Sequence, residues 1–381
     1  MGPLSRRTLS FLLGMILVLV AGLSGPLVAQ EGAGTDLFSF NGPGQVCPQI
    51  VSLVDRIGGR VDWGFNDLIA YDRIDPQNQR FQVWVMGRDG SGSRNVTSLN
   101  STLAQIDAGN PAWHPSGNYL VVQAADMPPP DWASSKPALY KRVSNPGAGY
   151  NNDLWLISTD GSHAAALTQL QPGQGVLHPH FSHAGGELLW TELVSVKPQK
   201  WVMHLAQFRV DSDGPHVTNE QTLDPLGNAF YETHDFSPDD KKILFATAKV
   251  AADYRHMSID EMDLASGAVK DLTGADDWNE HAHYSPDGSK IIWASSRNIP
   301  QTGDLKLTRN DYWIMNVDGS DKKRLTFFNK PGAPEYRASF NIASDMSWSP
   351  DGKEFVAYVQ LRTKPGAEND FMGSVLRITL P

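Results

Sequence analysis

Five of the chain's 11 histidines fall within three short segments, a density that random placement rarely produces. Two segments carry a His-x-His pair and the third carries a single histidine among acidic residues: His178 and His180, His281 and His283, and His234. Imidazole nitrogens bind Zn²⁺, Mn²⁺ and similar ions, and an adjacent carboxylate adds a ligand or a base. Glu280 offers that carboxylate. These residues therefore predict a divalent metal site for Zn²⁺, Mn²⁺ or Ca²⁺.

A repeated phrase predicts the elements that position these histidines. An aromatic residue, a Ser-Pro-Asp-Gly-like turn and an apolar strand recur six times, beginning at Trp63 (a degenerate copy), Trp113, Phe181, Phe236, Tyr284 and Trp348. Most copies continue with another strand, an Asp-Gly or Ser-Gly hairpin turn, and a strand ending in Leu-Thr. Four strands in each of six copies predict an all-β fold, a six-bladed β-propeller.

The ends of the chain complete this organisation. The run from Val375 to Leu380 reads as a strand and leaves the sixth blade without an outer strand, which the run from Gln49 to Val54 is predicted to supply. We therefore divide the chain into an export signal at 1–29, an N-terminal segment with the ring-closing strand at 30–54, and the propeller at 55–381.

Residues 1–29 have the features of an export signal. Arg6 and Arg7 precede an apolar run from Phe11 to Val20, and Ala29 is the expected cleavage position. The segment around Arg6 and Arg7 also resembles a twin-arginine signal. We expect a periplasmic or secreted protein with no membrane span after cleavage. The alternative is an uncleaved anchor, although the apolar run is shorter than the ~20 residues that a span needs.

Composition excludes several classes of protein. The formal net charge is −10, and an acidic chain without a basic cluster is a poor match to a nucleic-acid backbone. The single cysteine, Cys47, allows neither an internal disulfide nor a cysteine-based metal site. We expect a monomer that binds a protein or a polysaccharide rather than nucleic acid.

The aromatic-Ser-Pro-Asp-Gly phrase, paired with Asp-Gly-Ser and Leu-Thr, resembles the propeller of the TolB family over about residues 55–381. This resemblance implies a periplasmic protein that binds cell-envelope partners. Only residues 30–54 separate the signal from the first blade, so we expect the family's N-terminal α/β domain to be absent. A weaker similarity to oligogalacturonate lyases implies a histidine-ligated metal within the propeller.

In propellers of this family the aromatic phrase lies beside the central channel, so the residues one to four places before each aromatic are expected around its mouth. Positions one and three before the aromatic share one face of a strand, which points both imidazoles of each His-x-His pair the same way. His234 is out of phase with these pairs. The alternative role is structural, because histidines at this place in propellers often hydrogen-bond the neighbouring blade.

Two insertions suggest a binding face. One runs from Met127 to Tyr150 in the second blade, and the other runs from Arg297 to Arg309 in the fifth. Insertions on one face of a repeat ring often mark its binding face. The candidate binding residues are Trp132, Arg297 and Lys306.

Two functions remain open from the sequence. The favoured function is an exported, non-enzymatic propeller that binds a protein or envelope polymer through the insertion-bearing face. The alternative is a metal-dependent lyase or hydrolase acting on an acidic polysaccharide. In that case the metal would neutralise a uronate carboxylate and acidify the adjacent C–H group, and a histidine or glutamate would take the proton from that carbon. The sequence assigns no catalytic residue.

Overall fold

The computed structural model describes residues 36–38, 41–42, 45–46, 48–54, 59–227, 229–249, 253–301, 308–336, 340–362 and 371–380. The export-signal prediction at 1–29 and the candidate Lys306 lie outside these residues. The described residues form six antiparallel sheets arranged as the blades of a ring, together with one two-stranded hairpin. The prediction of a six-bladed propeller with four-stranded blades is confirmed.

Each blade runs from an inner strand at the channel to an outer strand at the rim. Blade one contains β5 (Val61–Trp63), β6 (Leu68–Ile74), β7 (Phe81–Gly87) and β8 (Arg94–Asn95). Blade two contains β9 (Ala108–Trp113), β10 (Tyr119–Ala124), β11 (Asp153–Ser158) and β12 (Ala164–Ala166). Blade three contains β13 (Gly175–Phe181), β14 (Glu187–Val196), β15 (Gln199–Asp211) and β16 (Gly214–Leu223).

The remaining blades follow the same plan. Blade four contains β17 (Phe230–Phe236), β18 (Lys242–Ala248), β19 (Ser258–Asp263) and β20 (Val269–Asp271). Blade five contains β21 (Asn279–Tyr284), β22 (Lys290–Ser295), β23 (Asp311–Asn316) and β24 (Lys323–Arg324). Blade six contains β25 (Phe340–Trp348), β26 (Glu354–Arg362) and β27 (Phe371–Thr379). The N-terminal strands are β1 (Asp36–Phe38), β2 (Asn41–Gly42), β3 (Gln45–Val46) and β4 (Gln49–Val54).

The ring closes through β4, as the sequence predicted. This strand pairs antiparallel with β27, with Ile50 opposite Ile378, so that residues from both ends of the chain complete blade six. The side chain of Ile50 is fully buried in the largest apolar cluster of the molecule. Closure therefore depends on packing as well as on backbone hydrogen bonds.

We expect Ile50→Ala to lower the free energy of unfolding by about 2–4 kcal/mol, because it leaves a cavity at the closing strand. Urea unfolding measures this difference. Val210→Ala is the control, since Val210 also lies in a strand but is exposed, and it should change stability by less than about 0.5 kcal/mol. Equal effects of the two substitutions would show that β4 is not needed for closure.

The two faces of the ring differ. The Ser-Pro-Asp-Gly-like turns join each inner strand to the second strand on one face, which we call the turn face. The blade-two insertion joins β10 to β11 at the opposite end of the sheet, which we call the insertion face. It contains a 3₁₀ helix at Asp131–Ser135 and a short helix, α1, at Pro137–Val143. Two further 3₁₀ turns, Thr97–Leu99 and Leu103–Gln105, lie in blade one's outer connection.

Bulges interrupt five of the six inner strands. In β9, β13, β17, β21 and β25 the pairing register shifts by one residue shortly before the aromatic. Three residues at these bulges have the left-handed backbone that L-residues rarely adopt: Asn110 (φ 51°), His178 (φ 43°) and His281 (φ 54°). A bulge redirects side chains and breaks the strict alternation of a strand. It therefore decides which residues face the channel.

Blade three has the longest outer strands, and a bulge in β16 brings Glu220 next to His204. His204 Nδ1 lies 2.7 Å from Glu220 Oε1, and its Nε2 lies 3.5 Å from Glu192 Oε2. Burial, and then the charge of Glu220, raise the pKa of Glu192 from 4.5 to about 7. The ionised form of Glu192 is therefore disfavoured in the folded protein.

Glu192→Gln should consequently stabilise the protein at pH 8 by about 1 kcal/mol and change little at pH 4. The unfolded carboxyl ionises near pH 4.5, so the stability that a raised pKa contributes is present below that pH and is lost as pH rises through 7. Solvent screening makes the gain smaller than the full pKa shift. Urea unfolding at both pH values tests this, and an equal effect at pH 4 and pH 8 would contradict it.

Candidate functional site

Three histidines from the bulged inner strands meet at the centre of the ring. His178 comes from blade three, His234 from blade four and His281 from blade five, and all three side chains are buried. A ring nitrogen from each lies within 4.8 Å of the others, and the ring centroids are 5.6–5.8 Å apart. His234, which unbroken alternation places out of phase, reaches the group because it is itself the bulged residue of β17.

Two buried glutamates lie beside the histidines. Glu232 and Glu280 stand four residues before the aromatic in blades four and five, and both are almost fully buried. His178 Nε2 lies 2.7 Å from Glu232 Oε1, and His281 Nε2 lies 3.4 Å from Glu280 Oε2. Oxygen atoms of both glutamates and a nitrogen of His281 lie within 4.8 Å of one another. A group of three imidazoles and a group of two carboxylates with one imidazole thus overlap at His281.

Asp345 of blade six supports the histidines from the other side of their rings. Its Oδ1 lies 3.6 Å from His178 Nδ1 and 3.7 Å from His281 Nδ1. Arg60 Nε lies 3.6 Å from Asp345 Oδ2, and Ser344 donates a hydrogen bond to the same oxygen. Metal-binding histidines commonly donate their second ring N–H to a carboxylate. The arrangement leaves His178 Nε2 facing Glu232, whereas His281 Nε2 lies between Glu280 Oε2 at 3.4 Å and Ser344 Oγ at 3.3 Å.

Unsatisfied atoms define which residues fit an ion. Among the described residues, Glu232 Oε2 and Glu280 Oε2 are buried without a hydrogen-bond partner, and His178 Nε2 and Glu232 Oε1 have only their 2.7 Å contact with each other. His234 differs, because its Nε2 accepts a hydrogen bond from the backbone N–H of His281 at 3.1 Å. A neutral imidazole with an occupied acceptor carries its proton on the other nitrogen. The donor set that best fits a cation is therefore His178, Glu232 and Glu280, joined by His281, whose Nε2 would exchange its 3.3 Å contact with Ser344 Oγ for the ion; His234 is a support.

The buried carboxylates and imidazoles of this group shift one another's pKa values. Burial, followed by the charge of Glu232, raises the pKa of Glu280 well above its ordinary value. Burial and the neighbouring His281 and His178 lower the pKa of His234 well below its ordinary value, so this imidazole is neutral. For Asp345, burial opposes ionisation, but His281, His178 and Arg60 together lower its pKa. Burial opposes protonation of His178, but Glu232 and Asp345 raise its pKa, so His178 and the guanidinium of Arg60 both offset the buried carboxylates.

A second layer lies nearer the turn face. The ring centroids of His180 and His283 are 5.6 Å apart, and His283 Nδ1 lies 3.6 Å from Asp235 Oδ2. Asp62 accepts hydrogen bonds from Ser347 Oγ and the backbone N–H of Trp113. Burial, together with His283, lowers the pKa of His180 to about 3. These side chains are more exposed than the deeper histidines, so the two members of each His-x-His pair lie at different depths.

A small cavity connects the two layers. Its volume is about 10 Å³, enough for one water molecule or ion. It is lined by Val61, Asp62, Asn110, Pro111, His178, Pro179, His180, His234, His281, His283, Asp345 and Met346. A sugar ring does not fit in a space of this size.

The blade-two insertion covers the opposite end of the channel. Every residue from 143 to 153 is buried. Arg60 Nη1 donates to the carbonyl of Pro146 at 2.8 Å, and Gly147 N–H donates to Gln123 Oε1 at 2.9 Å. The insertion therefore contacts the same arginine that holds Asp345, and the channel is approached from the turn face.

The candidate binding residues lie away from the metal position. Trp132 is half-buried within the insertion, where its Nε1 donates to Tyr150 OH at 3.2 Å and its ring packs against Tyr140. The guanidinium of Arg297 lies 6.0 Å above the ring of Trp313 in blade five. The part of the chain that the structure describes does not place these two residues in one site.

Sequence reasoning named five of the histidines and Glu280, but it did not include Glu232, Asp345 or Arg60 among the candidate ligands. Glu232 had a signal, because it occupies in blade four the position that Glu280 occupies in blade five. Arg60 had the same kind of signal, because it stands three residues before Trp63, as Asp345 stands three residues before Trp348. Only ring closure brings their side chains together.

Comparisons with known proteins place the chain among propellers. No family model matches the sequence. An uncharacterized protein of Agrobacterium fabrum is 25% identical over 216 residues, which is 57% of this chain and 57% of that protein. The chain thus spans little more than half the length of this curated relative. The comparison supports relatedness over part of the ring and assigns no activity.

The solved structures resemble the chain in fold. TolB from Acinetobacter baumannii has a TM-score of 0.52 at 16% identity, over 83% of this chain and 64% of that one. An oligogalacturonate lyase in complex with manganese has a TM-score of 0.47 at 12% identity, over 88% and 93% of the chains. The TolB-like propeller fold inferred from the repeats is confirmed. Within the described residues, no helix combines the length and apolarity that crossing a membrane needs.

Proposed function

We propose that this protein is a metal-binding propeller whose channel holds one divalent ion through His178, Glu232, Glu280 and His281. The observation that carries the proposal is the group of buried nitrogen and carboxylate ligand atoms at the ring centre, of which Glu232 Oε2 and Glu280 Oε2 have no hydrogen-bond partner among the described residues. Leaving such atoms unpaired costs about 1–3 kcal/mol each, and more for charged groups. A cation that binds all of them removes that cost.

The donor set favours a transition metal. Two imidazoles with two carboxylates suit Mn²⁺, Fe²⁺ or Zn²⁺, whereas Ca²⁺ takes oxygen ligands almost exclusively. The ligands come from blades three, four and five, and Asp345 adds blade six. A bound ion would therefore tie three inner strands together directly, and a fourth through Asp345, at the axis of the ring.

For its wider role we infer an exported protein that binds a protein or envelope polymer through the insertion face. The exposed residues of the blade-two insertion, and the place of residues 297–301 directly after β22 at the same end of the sheet, support this role. Hydroxyl-radical footprinting with a cell-envelope fraction tests it. Protection of residues 131–141 is expected, and protection confined to the turn face would contradict it.

Signal cleavage is tested by sequencing the N terminus of the exported protein. We expect it to begin at Gln30, and an exported protein that still begins with Met1 would contradict cleavage.

The second candidate is the metal-dependent lyase or hydrolase. The observation in its favour is the cluster of buried histidines and glutamates around a position that opens to the turn face. Two observations oppose a polymer substrate: the cavity has room for about one water molecule, and Arg60 is the one cation near it among the described residues, already engaged by Asp345 and Pro146. The binding function is therefore preferred.

Calorimetric titration of the chelator-treated protein, purified without a histidine tag, tests the metal proposal. We expect one Mn²⁺ or Zn²⁺ per chain and a rise in thermal stability, equivalent to about 2.7 kcal/mol when the free ion exceeds its Kd a hundredfold. Ca²⁺ serves as the control ion and should bind much more weakly. Failure of both transition metals to bind or to raise the melting temperature would overturn the proposal.

A further inference from the structure

We propose that the metal position keeps one exchangeable oxygen ligand, a water molecule at rest, held by Asn110 and His180 on the turn-face side. This inference rests on the proposed metal site and names the ligand that the site admits. It follows from two further polar side chains that the metal ligands do not use.

Asn110 is the first of these side chains. It is the bulged residue of β9, it is 6% exposed, and its Nδ2 has no hydrogen-bond partner among the described residues. Its backbone N–H donates to Asp72 Oδ2 at 2.7 Å, which fixes the strand at this point. An amide N–H group donates and does not bind a metal ion. Its partner must therefore be an acceptor atom in the cavity.

His180 is the second polar side chain that the metal ligands do not use. Its Nε2 is buried and likewise lacks a hydrogen-bond partner in the described part of the chain. His180 and Asn110 come from neighbouring blades and line the same cavity of about 10 Å³. That volume accepts a single oxygen atom with its hydrogens. Two unpaired polar groups facing one water-sized space are the usual surroundings of an ordered ligand atom.

The cavity also lies on the open side of the metal position. His178 and His281 line it, but Glu232 and Glu280 do not. An ion held between the histidines and the glutamates would thus have protein ligands on one side and the cavity on the other. The ligand class is a water molecule or a small monodentate anion such as fluoride, and a sugar ring is excluded by size.

Water-proton relaxation of the Mn²⁺-loaded full chain, followed by titration with fluoride, tests this inference. We expect one rapidly exchanging water on the Mn²⁺ and its displacement by fluoride. Asn110→Gly removes the amide but suits the left-handed backbone, and His180→Phe removes the second polar group. Each should weaken fluoride binding about tenfold, with Mn²⁺ affinity within about threefold of the unmodified protein. His183→Ala, on the turn face outside the cavity, is the matched control.

The outcomes separate this inference from the proposed function. Mn²⁺ that binds without an exchangeable water and without a response to fluoride would overturn the inference and leave the metal site standing. Unchanged fluoride affinity in both variants would also overturn the roles of Asn110 and His180. Absence of Mn²⁺ binding would overturn the proposed function and, with it, this inference.

Discussion

His281→Ala should reduce the affinity of the channel for Mn²⁺ or Zn²⁺ by more than about a hundredfold, whereas His283→Ala should change it by no more than about threefold. The two histidines are separated by one residue, but His281 faces Glu280 at 3.4 Å and His283 lies in the outer layer beside Asp235. Removing a group that only supports a metal ligand typically lowers metal affinity about 10–100-fold, so removing a ligand itself should lower the affinity further. Calorimetric titration measures both affinities.

Two further variants distinguish the loss of a metal ligand from a loss of folding. Glu232→Gln keeps the size of the side chain and removes its charge, and it should also abolish binding. Asp345→Asn leaves all four ligands in place but weakens the support of both histidines, so an intermediate loss of about 10–100-fold is expected. Circular dichroism confirms that each variant is folded. Equal losses in the His281 and His283 variants would contradict the assignment of the inner layer.

Gly147→Ala should lower the free energy of unfolding by about 3–5 kcal/mol, the largest stability effect that we expect from one methyl group. Gly147 has a φ of +78°, and a Cβ atom there would lie 2.0 Å from Arg60 Cζ. The guanidinium is buried against Asp345 and the Pro146 carbonyl and has no room to move aside. The added methyl group must therefore displace Arg60 or lift the insertion. Urea unfolding measures the loss.

Gly267→Ala is the matched control for the backbone alone. Gly267 has a φ of +72°, but a Cβ atom there would contact nothing within 4 Å. Gly267→Ala should lower the free energy of unfolding by only about 1–2 kcal/mol, which is the cost of holding an alanine in the left-handed conformation. A Gly147→Ala protein no less stable than the Gly267→Ala protein would show that the insertion does not pack tightly over the channel end.

The blades are predictable because their signals are local. A Ser-Pro-Asp-Gly turn needs only its own few residues: Ser349 Oγ donates to Asp351 Oδ1 at 2.7 Å, and Gly352 supplies a positive φ. Ser285 and Asp287 repeat this contact in blade five at 2.6 Å. Six copies then imply a ring, because each blade needs a neighbour to bury its faces. The closing role of β4 followed from counting strands.

The site was only partly predictable, because its geometry is not local. The histidine density pointed to the channel, but strict alternation would point His178 and His180 the same way and leave His234 out of phase. The bulges at His178, His234 and His281 break that alternation and bring these three to one level. A bulge is visible only once two strands have paired, so a single strand's sequence does not reveal it.

By itself, the sequence therefore determined the propeller, its closing strand and the region of the channel where histidines gather. Only the tertiary structure decided which channel residues contact one another, among them Glu232, Asp345 and Arg60, and that the blade-two insertion covers one end. Arg60 and Asp345 lie at opposite ends of the chain, yet their side chains are 3.6 Å apart. Turn and strand preferences act over a few residues, whereas a buried charged cluster forms only when ring closure brings distant strands to one axis.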